Sequence, residues 1–199
     1  MNLPNKITMS RICLIPVFAV IFLLDVIPYN YLIACAVFVV AACTDFIDGH
    51  IARSRGLVTN LGKFLDPIAD KVLVSTALIL LLVRQEALTA AWQGAWVMPV
   101  AGVCVAIILA RELIVSGLRM VAASAGLVLA ADNIGKVKTT VQDISVALLV
   151  ACADIASLHA QAGAWICGIG LVLLALATLL TVWSGINYIV KNRAVFSQK

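Results

Sequence analysis

Charge is sparse in this chain. Asp, Glu, Lys and Arg make up 12% of its 199 residues, and histidine occurs only twice. Soluble globular domains carry about 25% charged residues, so an ordinary soluble fold is excluded. Nucleic-acid binding, which draws its affinity from dense basic surface, has no basis here, and a net charge of +4 does not call for it. The chain also lacks any Cys-x-x-Cys pair. Cys13, Cys35, Cys43, Cys104, Cys152 and Cys167 stand singly in apolar runs, the pattern of buried small side chains rather than of disulfides or metal ligands. No internal repeat or low-complexity linker divides the sequence, so residues 1–199 read as a single domain. No Ser, Cys or His stands out as a nucleophile, which favours single-step chemistry over a covalent intermediate.

What the chain has in quantity is apolar surface, with 63% hydrophobic residues and a mean hydropathy of +1.10. A membrane-spanning helix takes about 20 mostly apolar residues. Six such stretches can be laid out, roughly 8–24, 31–51, 61–83, 95–123, 138–158 and 164–190. The expected fold is therefore an all-α integral membrane protein with six transmembrane helices. The first stretch is followed by Asp25, Pro28 and Tyr29 rather than a small-residue cleavage site, so it reads as a retained helix. An even number of spans puts both termini on one side. If that side is the cytoplasm, 13 of the 14 Lys and Arg residues fall on it and only Arg84 lies outside. Cytoplasmic loops carry such an excess, which predicts cytoplasmic termini, a multi-pass membrane location, and a surface suited to anionic membrane lipids and phosphates.

Within this apolar background, four acids fall in 26 residues: Asp45, Asp48, Asp66 and Asp70. A carboxylate at the centre of a spanning helix is disfavoured by about 2.5 to 3.5 kcal/mol on insertion scales, so the cluster is a functional signal. Helical spacing puts Asp45, Asp48, Gly49, Ala52 and Arg53 on one face, and Gly62, Asp66 and Asp70 follow at steps of four on the next helix. A short connection makes the two helices antiparallel neighbours, so four carboxylates converge. Left alone they would repel or take up protons. Oxygen donors without His or Cys select hard cations, and two Mg²⁺ or Mn²⁺ ions would balance four negative charges and suit phosphoryl chemistry. Gly49, Ala52 and Gly62 leave room for close approach of a ligand, and Arg53 supplies a planar cation for phosphate. His50 falls between these contact positions, and Pro67 shapes the entry of the third helix. Intramembrane acids also mark cation transporters, an alternative that predicts acidic groups near mid-bilayer and leaves the glycines and Arg53 unexplained.

The run D-x-x-D-G-x-x-A-R, eight residues, G-x-x-x-D-x-x-x-D resembles the signature of the CDP-alcohol phosphatidyltransferases at all eight positions. The resemblance implies a six-helix membrane enzyme, typically a homodimer, that moves a phosphatidyl group from CDP-diacylglycerol to an alcohol. It implies Asp45, Asp48, Asp66 and Asp70 as ligands of a two-metal centre and Asp70 also as general base. For CDP-diacylglycerol it implies Asn5, Thr8, Asp45, Gly49, Ala52, Arg53, Thr59 and Gly62.

The acceptor must be read from residues outside the signature. Arg111, Arg119, Lys136 and Lys138 fall at the cytoplasmic ends of the fourth and fifth spans, level with the acids. Arg111 and Arg119 are eight apart and can face one cavity, where they would hold a doubly charged phosphate. The alternative is that these residues serve topology alone. The stretches Leu3 to Thr8 with Arg11, Ala110 to Leu113 with Gly117 to Arg119, and Gly135 to Thr139 with Gln142 are similar to family members that use glycerol 3-phosphate. Inositol phosphate, serine and phosphatidylglycerol remain as other acceptors. The expected reaction is direct displacement of CMP, in a site facing the cytoplasm.

Overall fold

A computed structural model describes residues 3–54, 60–89, 94–124 and 133–191, with side chains described at 7–44, 65, 67–89, 94–122 and 134–191. Within them the chain is helical: α1 Leu3–Leu23, α2 Asn30–Ser54, α3 Asn60–Val83, the short α4 Gln85–Thr89, α5 Val97–Ser124, α6 Asn133–Leu158 and α7 Ala160–Lys191. Three are long and apolar enough to cross a membrane, over Val97–Ala122, Ile134–Leu158 and Ala160–Lys191, while Ile7–Leu23 and Asn30–Thr44 are shorter apolar lengths of α1 and α2. The six long helices match the six apolar stretches. The sequence placed the start of α6 at residue 138, but it begins at Asn133, so Lys136 lies in its first turn rather than ahead of it and Lys138 in the second turn rather than at its start.

The helices pack along their lengths, α1 on α2 and α3, α2 on α6, and α7 on both α5 and α6. Phe18, Phe22, Tyr31 and Phe38 lock α1 to α2, with ring centroids 5.1 to 5.9 Å apart along the cluster. Leu73, Leu78, Leu81, Ile108 and Leu149 fill the centre, each buried almost completely. The other sides carry large apolar groups in the open: Trp165, Val172, Leu179 and Trp183 on α7 and Leu113 and Met120 on α5 are each more than 60% exposed. Such a surface far exceeds what soluble monomers expose and is solvated well only by lipid. Cys13 and Cys43 lie on these open faces, which corrects the expectation that every cysteine is buried.

Close helix approach has a local cause. A Cβ on Gly163 would sit 2.3 Å from Ala156 Cα, and one on Gly170 would sit 2.8 Å from Leu149 Cδ2. These two glycines, two turns apart on one face, let α7 fold back on α6 with only His159 between them. The short α4 was not expected from the sequence. It forms where Ala87 and Leu88 are buried against α6 and α7, and the thiols of Cys152 and Cys167 donate to their carbonyl oxygens at 2.9 and 3.3 Å.

The polar groups divide between the two ends of the bundle. At one end, Arg84 Nη2 donates to Asp25 at 2.6 Å and to the Leu23 carbonyl at 2.5 Å, while Nη1 donates to Glu86 at 3.0 Å. The single basic residue assigned to the outside is thus tied to two acids and caps the end of α1. Nearby, Asp154 of α6 accepts from the Leu32 backbone N–H at 2.8 Å, placing a carboxylate at the N-terminus of α2. The acids of the signature lie toward the opposite end.

Candidate active site

Both acid-bearing segments are helical. Asp45 and Asp48 lie three apart near the end of α2, and Asp66 and Asp70 four apart in the first half of α3, so the members of each pair share a face of their helix. Gly49, Ala52 and Arg53 continue α2 and Gly62 opens α3, while Thr59 falls outside the described residues. The side chains of Asn5, Asp45, Asp48, Ala52, Arg53 and Asp66 lie outside them too. Among the described residues no group of three His, Cys, Asp or Glu could hold a metal ion; of the four signature acids, only Asp70 has its side chain among them. The donor set itself is all carboxylate and suits a hard divalent cation.

α1 is held against the acid end of α2 by a fully buried arginine. Arg11 Nε donates to the Ala41 carbonyl at 3.1 Å and reaches Thr44 Oγ1 at 3.4 Å, one residue before Asp45. Thr8 lies beside it in α1, with 1% of its surface exposed.

Asp70, half-buried, stands on the wall of a cavity of about 200 Å³. The same wall carries Lys71 from α3, Arg111, Glu112 and Arg119 from α5, and Lys136 from α6. Three of the four acceptor-phosphate candidates therefore come together with the general-base candidate. Among the described residues four cations face two carboxylates, a net charge of +2 at full ionisation, which suits an anion of charge −2.

Lys138 is placed differently. Two residues from Lys136, it turns to the opposite side of α6, has a side chain only 1% exposed, and donates to Glu112 Oε1. It lines a smaller chamber of about 30 Å³ beneath the cavity, with Asp70, Lys71, Ser75, Glu112 and Gln142. Glu112 is the hub of this region. Its Oε1 also accepts from Arg111 Nη1 at 3.3 Å, and its Oε2 lies 3.8 Å from Lys71 Nζ. Lys71 also donates to Ser116 Oγ, which in turn donates to the Glu112 carbonyl at 2.5 Å. One carboxylate thus sets three cations in place.

The arginines have further partners on α7. Arg111 Nη2 donates to Ser184 Oγ at 3.1 Å, and Arg119 Nε donates to Tyr188 Oη at 3.2 Å, with the guanidinium carbon 5.3 Å from the ring centroid. Sequence reasoning missed Glu112, Ser184 and Tyr188. For Glu112 a signal was present, an acid inside an apolar span. For the two α7 residues there was none, since Ser and Tyr are unremarkable in a spanning helix.

The long helices are apolar, Asp70 of α3 shares a cavity with Arg111, Arg119 and Lys136, and the chain belongs to the CDP-alcohol phosphatidyltransferase family, whose model matches residues 1–183. Among characterised proteins it is similar to the CDP-diacylglycerol--glycerol-3-phosphate 3-phosphatidyltransferase of Bacillus subtilis (strain 168), 46% identical over 160 residues covering 75% of this chain and 76% of that protein. Proteins of the same name from Shigella flexneri serotype 5b (strain 8401) and Escherichia coli (strain K12) are each 37% identical over 195 residues, 97% of this chain and 96% of theirs.

Proposed function

We propose that this protein transfers the phosphatidyl group of CDP-diacylglycerol to glycerol 3-phosphate, giving phosphatidylglycerophosphate and CMP. The observation that carries this reading is the cavity shared by Asp70 with Arg111, Arg119 and Lys136. A carboxylate beside a cationic pocket of a size for a small phosphorylated polyol supports this reading, and the relatives' names agree with it.

In this reading the acceptor phosphate is held by Arg111, Arg119 and Lys136, with Lys138 acting from beneath through Glu112. Asp70 takes the proton of the acceptor's primary hydroxyl. That oxygen forms a bond to the phosphorus bearing diacylglycerol, and the bond from this phosphorus to the oxygen of the CMP phosphate breaks. Asn5, Thr8, Asp45, Gly49, Ala52, Arg53, Thr59 and Gly62 form the seat of CDP-diacylglycerol. Asp45, Asp48, Asp66 and Asp70 hold two divalent cations, Mg²⁺ or Mn²⁺, which when bound stabilise negative charge on the pyrophosphate and leaving group. All six long helices cross the cytoplasmic membrane of a bacterium, with both termini and the cavity on the cytoplasmic side, where a soluble acceptor meets a lipid donor. The working unit is a homodimer.

An acceptor panel in detergent micelles tests the assignment. With CDP-diacylglycerol and Mg²⁺ or Mn²⁺, glycerol 3-phosphate should support transfer, and inositol phosphate, serine and phosphatidylglycerol should not. Arg119→Ala should raise the KM for glycerol 3-phosphate by about tenfold or more, as expected for loss of a charge-assisted contact. Equal use of serine, or an acceptor KM untouched by Arg119→Ala, would count against the phosphate pocket.

A further inference from the structure

We propose that the inner face of α7, through Ser184, Gly185 and Tyr188, positions Arg111 and Arg119 and thereby sets the affinity for the acceptor phosphate. The proposal rests on the reading of those arginines as the phosphate site. Ser184, Gly185 and Tyr188 lie just past residue 183, where the family match ends, and carry no charge of their own. None of the three lines the cavity, so their effect on the acceptor runs through the arginines that do.

Each makes a distinct contact. Ser184 is 1% exposed; its Oγ accepts from Arg111 Nη2 at 3.1 Å and donates to the Thr181 carbonyl at 3.2 Å, so its orientation is fixed from both sides. Tyr188 is 4% exposed and packs in a cluster with Val115 and Leu118 of α5, which fixes the ring beneath the Arg119 guanidinium while its Oη accepts from Nε. Gly185 lets α7 approach Arg111, since a Cβ there would sit 3.1 Å from Arg111 Cγ and force the side chain to shift. The contacts run in the same order along both helices, Arg111 with Ser184 and then Arg119 with Tyr188, so the two stretches act as one bracket.

The chemistry of the bracket is selective. A flexible arginine gives up rotamer freedom when it is fixed, and holding it beforehand reduces that loss on ligand binding. A carboxylate could hold it too, but would cancel the charge the phosphate needs. A serine hydroxyl, a phenol oxygen and an aromatic face orient the guanidinium and leave its full positive charge for the ligand. Arg119, the more exposed of the two, has no anionic partner among the described residues, whereas Arg111 shares Glu112 with Lys138. Tyr188 is therefore the stronger lever on acceptor binding.

The test is steady-state kinetics of the full-length protein in micelles, with each substrate varied in turn. Tyr188→Leu should raise the KM for glycerol 3-phosphate by about fivefold to tenfold, a range set by the strength of a partly desolvated cation–π contact together with its hydrogen bond. The KM for CDP-diacylglycerol should stay within about twofold by the same reasoning, since the donor makes neither contact. Tyr188→Phe, which keeps the ring, should recover part of the loss, and Ser184→Ala and Gly185→Ala should shift the acceptor KM in the same direction. If Arg119→Ala raises the acceptor KM while Ser184→Ala, Gly185→Ala and both Tyr188 variants leave it unchanged, the bracket is overturned and the phosphate site stands. If Arg119→Ala also leaves it unchanged, the phosphate site itself fails. A loss in Tyr188→Leu that falls equally on both KM values and on thermal stability, with Tyr188→Phe and Ser184→Ala silent, would reduce α7 to scaffolding and overturn the proposal.

Discussion

Asp70→Asn should lower kcat by about 10³-fold, the middle of the range for loss of a positioned general base, while CDP-diacylglycerol binding persists. The substitution keeps the shape of the side chain and removes its negative charge. Asp70 is the acid that faces both ways: it belongs to the carboxylate series on α3, and its side chain stands on the wall of the cationic cavity and of the chamber beneath it. In the proposed reaction, a hydroxyl seated with its phosphate against Arg119 and Lys136 would have this carboxylate beside it to take its proton. CMP release by the purified variant, together with retention of the lipid donor in a binding assay, separates loss of the base from loss of the fold. Activity near that of the unmodified protein would remove Asp70 from the role.

Glu112→Gln should be the most destabilising single change in the polar region. Lys138 has a side chain 1% exposed and depends on Glu112 for its counter-charge, and Arg111 and Lys71 gather on the same carboxylate. Removing one member of a buried ion cluster leaves the others uncompensated, at a cost of about 3 to 5 kcal/mol. The expected result is a lowered midpoint of thermal unfolding in detergent and a raised KM for glycerol 3-phosphate as Arg111 loses its anchor. Adding Lys138→Met should restore much of the stability, because a buried pair replaced by apolar groups of similar size is often neutral. An unchanged midpoint in Glu112→Gln would show that the cluster holds nothing together.

The parts of this architecture that were legible in the sequence are those written as periodicity. Apolar runs of spanning length marked all six long helices, and steps of three and four put the acids on shared faces of α2 and α3, where the backbone is helical. Boundaries were less legible. Lys136 looked like a flanking residue and Lys138 like the start of the span because lysine is rare inside one, yet α6 begins at Asn133 and carries both inward. Direction was not legible at all. Counting charge placed Lys136 and Lys138 in one pocket, but two residues along a helix is more than half a turn, and only Lys136 lies on the cavity wall while Lys138 goes under it to Glu112. The short α4 escaped notice because its burial depends on Cys152 and Cys167, more than 60 residues away. The hold of α7 on the arginines is equally tertiary, visible only once α5 and α7 lie side by side.

Direct displacement, as proposed for phosphatidyl transfer, requires donor and acceptor to occupy one site together. The measurement that tests it most directly is CMP release from CDP-diacylglycerol by the purified protein in micelles, with and without glycerol 3-phosphate and with the divalent cations removed by a chelator. CMP should appear in step with phosphatidylglycerophosphate only when glycerol 3-phosphate and a divalent cation are both present. A burst of CMP before any acceptor is added, or release that continues in the presence of chelator, would contradict it.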